Sequence, residues 1–319
     1  MSNPRLFIDG HAGTTGLRIR QWLAGRDDIE LWTLAEGERK SEAARRKAIA
    51  ESSLSILCLP DDAAREAAGW AAESGSRVLD ASSSHRVAEG WVYGLPELAP
   101  GQRDAIRNAD RVTNPGCYPS GFVLLVRPLI DAGLLPAEAP LSIHALSGYS
   151  GGGKSLIERW ESPETGLSSL AYEAPYALDR IHKHIPEMHH YTGLTHAPQF
   201  VPAVGPFACG MRVEVPIHAS LLADGANGEL VREALTRRYE GEPFVEVAPD
   251  PGSSPVDERT LDPTALNDTN RVRLHVFPNA AGHVLLVALL DNLGKGASGV
   301  AIQSLNLMLG LGEETGLPR

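Results

Sequence analysis

"LFIDGHAGTTGLRIRQWLAG", residues 6–25, is the stretch whose reading decides the fold. Leu6 to Ile8 form a short apolar strand, Gly10, Gly13 and Gly16 follow at three-residue spacing, and Leu17, Ile19, Trp22 and Leu23 then recur as on a helix. A dinucleotide's pyrophosphate needs bare backbone N–H groups at a helix N-terminus, and side chains there would block its approach. The glycine string says little alone. Its position after the first strand and before the first helix gives it weight, against the alternative of a merely tight turn. Thr14 and Thr15 add hydroxyls able to bond phosphate oxygens.

Outward from this corner, strand and helix alternate. "IELWTL" (29–34) reads as a strand, "SEAARRKAIAES" (41–52) as a helix, and "LSILCLP" (54–60) as a buried strand closed by Pro60. Asp61 or Asp62 is expected to cap the helix "AAREAAGWAAESG" (63–75), which Gly75 ends. "RVLDAS" (77–82) and "RVT" (111–113) are further strands. Such alternation means α/β architecture, a parallel Rossmann-type sheet with right-handed crossovers. Glu36 lies where a ribose-binding acid is usual, but Arg39, Lys40, Arg45 and Arg46 follow it. A cationic cluster after the second strand suits a 2′-phosphate, hence NADP (NADPH) over NAD. The same charges also read as a solvated helix face balanced by Glu38 and Glu42.

The composition bounds the rest. A chain of 319 residues is long enough for two domains, and 43% hydrophobic with 22% charged residues is ordinary for a globular protein. A net charge of −11 argues against nucleic-acid binding, and cations for a small anion must be gathered locally. Cys58, Cys117 and Cys209 are odd in number and far apart, without a CxxC pair, which is neither a disulfide framework nor a zinc spacing. With no signal-like N-terminus and no long uncharged run, the expectation is a cytoplasmic protein without a membrane partner.

"TNPGCYPSGFVLLVRPLIDAG" (113–133) places one thiol at a corner. Pro115 and Gly116 let the chain turn sharply, and Cys117 falls at or beside the first helical residue. A thiol there feels the positive end of the helix dipole, which favours the thiolate. Cys58 and Cys209 read instead as small packing residues. A nucleophilic thiol wants a base. "DRIHKHIPEMHHYTG" (179–193) offers four histidines, with Pro186 and Glu187 marking a helix start just after His184. His184 is the first candidate for acid/base and His182 the second, with Glu187 the nearby carboxylate. His189 and His190 read as surface residues. No ligand set completes a metal site.

Two more glycine stretches, "LSGYSGGGKS" (146–155) and "LLDNLGKGASGVAIQSLNLML" (289–309), each leave a strand. Ser147, Gly148 and Gly151 in the first, and Asn292 in the second, are candidate coenzyme contacts beside Gly10, Gly13, Thr14, Thr15, Gly16 and Arg39. "CGMRVEVPIHA", "FVEVAP", "RVRLHVF" and "HVLLVALL" suggest an α+β second domain with a mostly antiparallel sheet. The expected organisation is a coenzyme domain over 1–115, completed by a terminal helical region 294–319, and a catalytic and oligomerisation domain over 116–293. Residues 248–270 read as an ordered irregular loop.

"GxxGTTGL" (10–17), "NPGCYP" (114–119), "SGYSGGGK" (147–154), "HKHIPEM" (182–188) and "DNLGKGASGVAIQ" (291–303) together resemble the N-acetyl-gamma-glutamyl-phosphate reductases, relatives of the aspartate-semialdehyde dehydrogenases. The motifs span nearly the whole chain, and the "DGHAGTTGL" opening is similar to the shorter subtype. The resemblance implies NADPH-dependent reduction of N-acetyl-glutamyl 5-phosphate, a small-molecule acyl phosphate, to the semialdehyde in arginine biosynthesis. In that pattern Cys117 attacks the acyl carbon and expels phosphate, hydride reaches the resulting thioester, and His184 moves the protons. Arg86, Lys154, Arg180, Lys183 and Arg212 are the candidate cations for the substrate's carboxylate and phosphate. A homodimer or homotetramer is expected. The same chemistry on aspartyl or N-acetyl-aminoadipyl phosphate, a thiol hydrolase, and a non-catalytic dinucleotide sensor remain open alternatives.

Overall fold

Leu6, Phe7 and Ile8 are all buried, and the strand they form is hydrogen-bonded on both edges, as a continuous apolar run demands. The computed structural model describes residues 3–250, 252 and 257–319. It divides into two compact units, Met1–Pro115 with Ala297–Pro318, and Gly116–Gly296 with Arg319.

In chain order the first unit holds β1 (Arg5–Asp9), α1 (Thr14–Leu23), β2 (Glu30–Trp32), α2 (Glu42–Ala50) and β3 (Leu54–Leu57). It continues with α3 (Asp61–Ser74), β4 (Val78–Asp80), β5 (Val92–Tyr93), α4 (Gln102–Asn108) and β6 (Arg111–Thr113). The second holds α5 (Cys117–Asp131), β7 (Ser142–Gly148), α6 (Gly153–Glu161), β8 (Ala174–Pro175), α7 (Ile185–Thr192) and β9 (Gln199–Gly205). It ends with β10 (Met211–Ile217), α8 (Gly228–Arg238), β11 (Val245–Val247), β12 (Val272–Pro278) and β13 (Val284–Leu290). A π-turn, Gly294–Ser298, leads into α9 (Gly299–Met308).

The first unit's sheet is parallel throughout, in the order β2-β1-β3-β4-β6-β5. Every residue of α9 is buried, and its polar groups are matched within the same unit. Gln303 donates to Glu97 and Glu313, Ser304 to the Gly94 carbonyl, and Asn306 to the carbonyls of Glu313 and Thr315. Gly75 ends α3 in the left-handed region, at φ +68°. The cap of that helix is Pro60, not an aspartate. Asp61 and Asp62 occupy the first turn, where the dipole still favours acids, and the Asp61 carboxylate accepts from Ser83. β5 and α4 carried no sequence signal, one being two residues long and the other lacking an apolar stripe.

The second unit's sheet runs β11-β12-β13-β10-β7-β9-β8. Four pairings are antiparallel, while β11–β12 and β7–β9 are parallel. The parallel pair with β9 was not legible because Pro202 interrupts "QFVPAVG". One sheet face meets α5 so closely that a Cβ on Gly121 would lie 3.0 Å from the Val213 side chain. On the other face Leu261 and Leu266 pack with Val287 and Leu289. They belong to the irregular segment expected over 248–270, of which residues 251 and 253–256 lie outside the described residues.

Candidate active site

The three loop glycines do different work. Gly10 sits at φ +86°, and a Cβ there would lie 2.2 Å from the Cys58 carbonyl oxygen; one on Gly16 would lie 2.6 Å from the Gly10 oxygen. These two let the loop close on β3 and on itself. Gly13 has nothing nearer than 3.6 Å, and it is the N-cap of α1 with no side-chain cap, so its open side leaves the helix start accessible. Beside it lies a cavity of about 440 Å³, bounded by Gly10, His11, Gly13, Glu36, Arg39 and Lys40, with Leu34, Cys58 and Leu59 on its apolar side. An uncapped helix start next to cations and an apolar wall fits a dinucleotide. Thr14 and Thr15 open α1, and the Thr15 carbonyl accepts from Ser298.

The expected cationic cluster separates into two pairs. Arg45 is buried, with its Nε 2.9 Å from Asp9 and its guanidinium 4.7 Å above the Trp70 ring. Arg46 binds Glu42 and Glu73 and also covers Trp70. Only Arg39 and Lys40 line the cavity, and Arg39 holds Glu36 at 2.6 Å. Cys58 packs against the core of the first unit, as read, and also forms part of the cavity wall. Burial, then Asp80 and Asp9, push its thiol well above the ordinary range, so it stays protonated. His11 is a cavity residue that glycine spacing did not single out.

In the second unit Cys117 is the first residue of α5, and Gly116 is its N-cap. The Gly116 N–H donates to the Glu187 carboxylate at 2.7 Å. Glu187 is 1% exposed and sits in the first turn of α7, so one buried carboxylate ties the thiol's turn to the histidine helix. His184 is the N-cap of α7, also buried, with its ring 4.8 Å from that of His182 and 5.7 Å from that of Tyr118. Both nitrogens of His182 are engaged. Nδ1 accepts from the His184 N–H at 3.2 Å, which puts the neutral ring's proton on Nε2, 3.4 Å from the Tyr176 hydroxyl. Tyr176 donates in turn to Tyr118 at 3.2 Å. Burial pushes the Tyr176 phenol up to about 12 and holds the Tyr118 phenol well above its ordinary value, so both remain neutral donors. Gly296 closes the far side, since a Cβ there would lie 2.8 Å from the Cys117 Cβ. Tyr118, Tyr176 and Gly296 were not singled out by sequence. The first adjoins the thiol, but only the folded chain brings the other two to it. His190 is exposed, as read, whereas His189 is half-buried.

The remaining candidates are placed as follows. Asn292 is 1% exposed, and its amide accepts from the Gly210 N–H at 2.8 Å and donates to Ser150 at 3.0 Å. That amide knots two loops rather than reaching outward. Gly148 is pressed against the Ala208 carbonyl, Ser147 bonds the Gly148 carbonyl, and Gly151 faces Asn292 and Ser147 at 3.4 Å. Among the cations, Arg86 is buried in the first unit and donates to the Asn114 carbonyl. Lys154 is exposed and pairs with Glu158 on α6. Arg212 pairs with Glu214 at 2.5 Å and alternates onto the sheet face opposite Val213, away from α5. Arg180, at φ +65°, and Lys183 are exposed on the segment carrying His182 and His184. Arg180 and Lys183 thus adjoin the two histidines along the chain, while Lys154 and Arg212 each lie beside a carboxylate of their own.

Two family models together match most of the chain. One, the semialdehyde dehydrogenase NAD binding domain, matches residues 8–109; the other, the semialdehyde dehydrogenase dimerisation domain, matches 117–292. An N-acetyl-gamma-glutamyl-phosphate reductase 2 of Nostoc sp. is 51% identical over 322 residues, covering 99% of this chain and 100% of its own. A Burkholderia cenocepacia N-acetyl-gamma-glutamyl-phosphate reductase is 49% identical over 311 residues, covering 97% and 98%. The chain belongs to the N-acetyl-gamma-glutamyl-phosphate reductase family. Aspartate semialdehyde dehydrogenase II from Vibrio cholerae, 17% identical, superposes with a TM-score of 0.75 over 97% of this chain and 99% of that one, which is a likeness of fold. Among the described residues of this reductase-family chain, no helix is long and apolar enough to cross a membrane.

Proposed function

We propose that the chain reduces N-acetyl-L-glutamyl 5-phosphate to the 5-semialdehyde with release of phosphate, using NADPH, as a step of arginine biosynthesis. The observation that carries this reading is the thiol at the head of α5, its turn bonded to the buried Glu187 of the helix that His184 caps.

In this reading Cys117 is the nucleophile. His184 takes the thiol proton, the thiolate bonds to the acyl carbon, and the acyl C–O bond of the mixed anhydride breaks with its electron pair leaving on phosphate, giving a thioester on Cys117. Bound NADPH would supply the hydride that reduces that thioester carbon. The His184 imidazolium returns its proton to the thiohemiacetal oxygen, and collapse of that carbon releases the aldehyde and the Cys117 thiol. The Cys117 and Tyr118 N–H groups, at the start of α5 with no side-chain cap, would donate to the developing oxyanion. His182 holds the His184 backbone and relays orientation to Tyr176, which supports His184 as the group that moves the proton. Gly10, Gly13, Thr14, Thr15, Gly16, Arg39 and Lys40 would hold the coenzyme, and Arg180 and Lys183 the substrate's anionic groups. The 1–115 and 116–293 segments divide as coenzyme and catalytic domains. The working form is a cytoplasmic homodimer or homotetramer, supported by the dimerisation-domain match.

The test runs the reaction backwards. N-acetyl-glutamate semialdehyde, NADP and phosphate are mixed with the protein, and absorbance of the reduced nicotinamide is followed. Phosphate-dependent reduction that falls at least ~1,000-fold in Cys117→Ser, at an unchanged thermal midpoint, is expected. Turnover retained by that variant would sink the mechanism. Turnover only with aspartyl or aminoadipyl semialdehyde would move the substrate.

A further inference from the structure

The coenzyme cavity contains one side chain that ordinary dinucleotide loops do not require. His11 stands between Gly10 and Gly13, lines the cavity with Arg39 and Lys40, and is half-buried. Its α-carbon is where a Cβ on Gly16 would strike, at 2.9 Å, so the residue is held against the start of α1 rather than on a loose tip. The groups acting on the imidazole are Arg20 of α1, Arg39 from beyond β2, Asp9 at the end of β1, and the Ile8 backbone. Asp9 is largely committed to Arg45. Arg39 in turn carries Glu36. The ring therefore sits beside the cavity's two cations, Arg39 and Lys40, with Asp9 and Glu36 the acids there, each already paired with an arginine.

We propose that His11 is a proton-linked coenzyme ligand, which binds a phosphate of the dinucleotide as its imidazolium and takes up a proton when the coenzyme enters. This rests on the dinucleotide reading of the cavity. In the free chain desolvation, then Arg20 and Arg39, hold the imidazole below its ordinary value, so at neutral pH it is uncharged. A phosphate dianion reverses the sign of the local field by offsetting Arg20 and Arg39. The bound-state value then exceeds the free-state value, and protons enter between the two. By linkage, affinity strengthens as pH falls through the upper of these values. The 2′-phosphate itself gains a proton near pH 6 and opposes the effect below that, so the informative range is about 6.5 to 8.5.

The experiment is calorimetric titration of the full chain with NADP at pH 7, in two buffers of different ionisation enthalpy. Difference in observed heat gives protons bound per coenzyme, independent of any turnover. Wild type is expected to take up a few tenths of a proton. His11→Gln, and His11→Asn should the first variant fold poorly, are expected to take up none. These variants also lose the several-fold tightening of NADP binding between pH 8.5 and 6.5. Repeating with NAD locates the phosphate: uptake kept with NAD puts it on the pyrophosphate, uptake confined to NADP puts it on the 2′-phosphate. Binding to wild type without proton uptake, or uptake unchanged in the variants, overturns the role of His11 and leaves the coenzyme site standing. Failure of wild type to bind either dinucleotide overturns both.

Discussion

The chain leaves a strand through glycines at two comparable corners, 10–16 between β1 and α1 and 148–153 between β7 and α6, and the corners use glycine to opposite ends. At the first, Gly10 and Gly16 are pressed against backbone, but Gly13 opens onto a cavity with Arg39 and Lys40 at its edge. At the second, Gly148 would place a Cβ 2.3 Å from the Ala208 carbonyl oxygen, and Gly152 would meet Leu156 at the same distance. Gly151 faces the buried amide of Asn292. The first corner empties space for a ligand; the second empties space for its own chain. Glycine spacing alone therefore does not distinguish binding from packing. What lies on the open side does.

Substitution can break this comparison. Gly10→Ala adds both a backbone clash and a positive φ that alanine resists, so a loss of about 3–4 kcal/mol is expected, read as a fall in thermal midpoint together with lost NADPH affinity. Gly148→Ala has only the clash, at φ −63°, and should cost about 2–3 kcal/mol while folded molecules bind NADPH as before. A binding defect there, measured by coenzyme fluorescence on the folded fraction, would mean the second corner also holds the dinucleotide. Asn292→Ala strands the Gly210 N–H and is expected to cost about 1–3 kcal/mol by denaturant unfolding. Gly13→Ala meets nothing within 3.5 Å, so its stability should stay within about 0.5 kcal/mol while Kd for NADPH rises about tenfold.

The first of these corners was legible because its signal is local: an apolar triplet, three glycines and a helical period within 20 residues. The positions of Cys117 at the head of α5 and of His184 at the head of α7 were legible for the same reason, through Pro-Gly and Pro-Glu punctuation. Contacts between distant segments left no such trace. Nothing near Gly296 announces that it packs on Cys117, and nothing near Asn292 announces that Gly210 and Ser150 use its amide. The four cations after β2 could not be sorted for a related reason. Arg39, Lys40, Arg45 and Arg46 look equivalent in sequence, but helical geometry turns Arg45 onto Asp9 and Trp70 and leaves Arg39 and Lys40 at the cavity.

The smallest effect is the sharpest test of the second corner. Lys154 follows its glycines and is one of the candidate cations for the substrate's carboxylate and phosphate. Its side chain is 82% exposed and meets Glu158 one turn later at 3.6 Å, an arrangement of solvated charges that contributes little. Lys154→Ala should therefore leave the thermal midpoint unmoved and change kcat/KM for the acyl phosphate less than about twofold. A tenfold loss confined to KM would show that substrate draws Lys154 off Glu158. The second corner would then be a binding loop after all, with its tight glycines serving as the hinge of the lysine rather than as packing for Asn292.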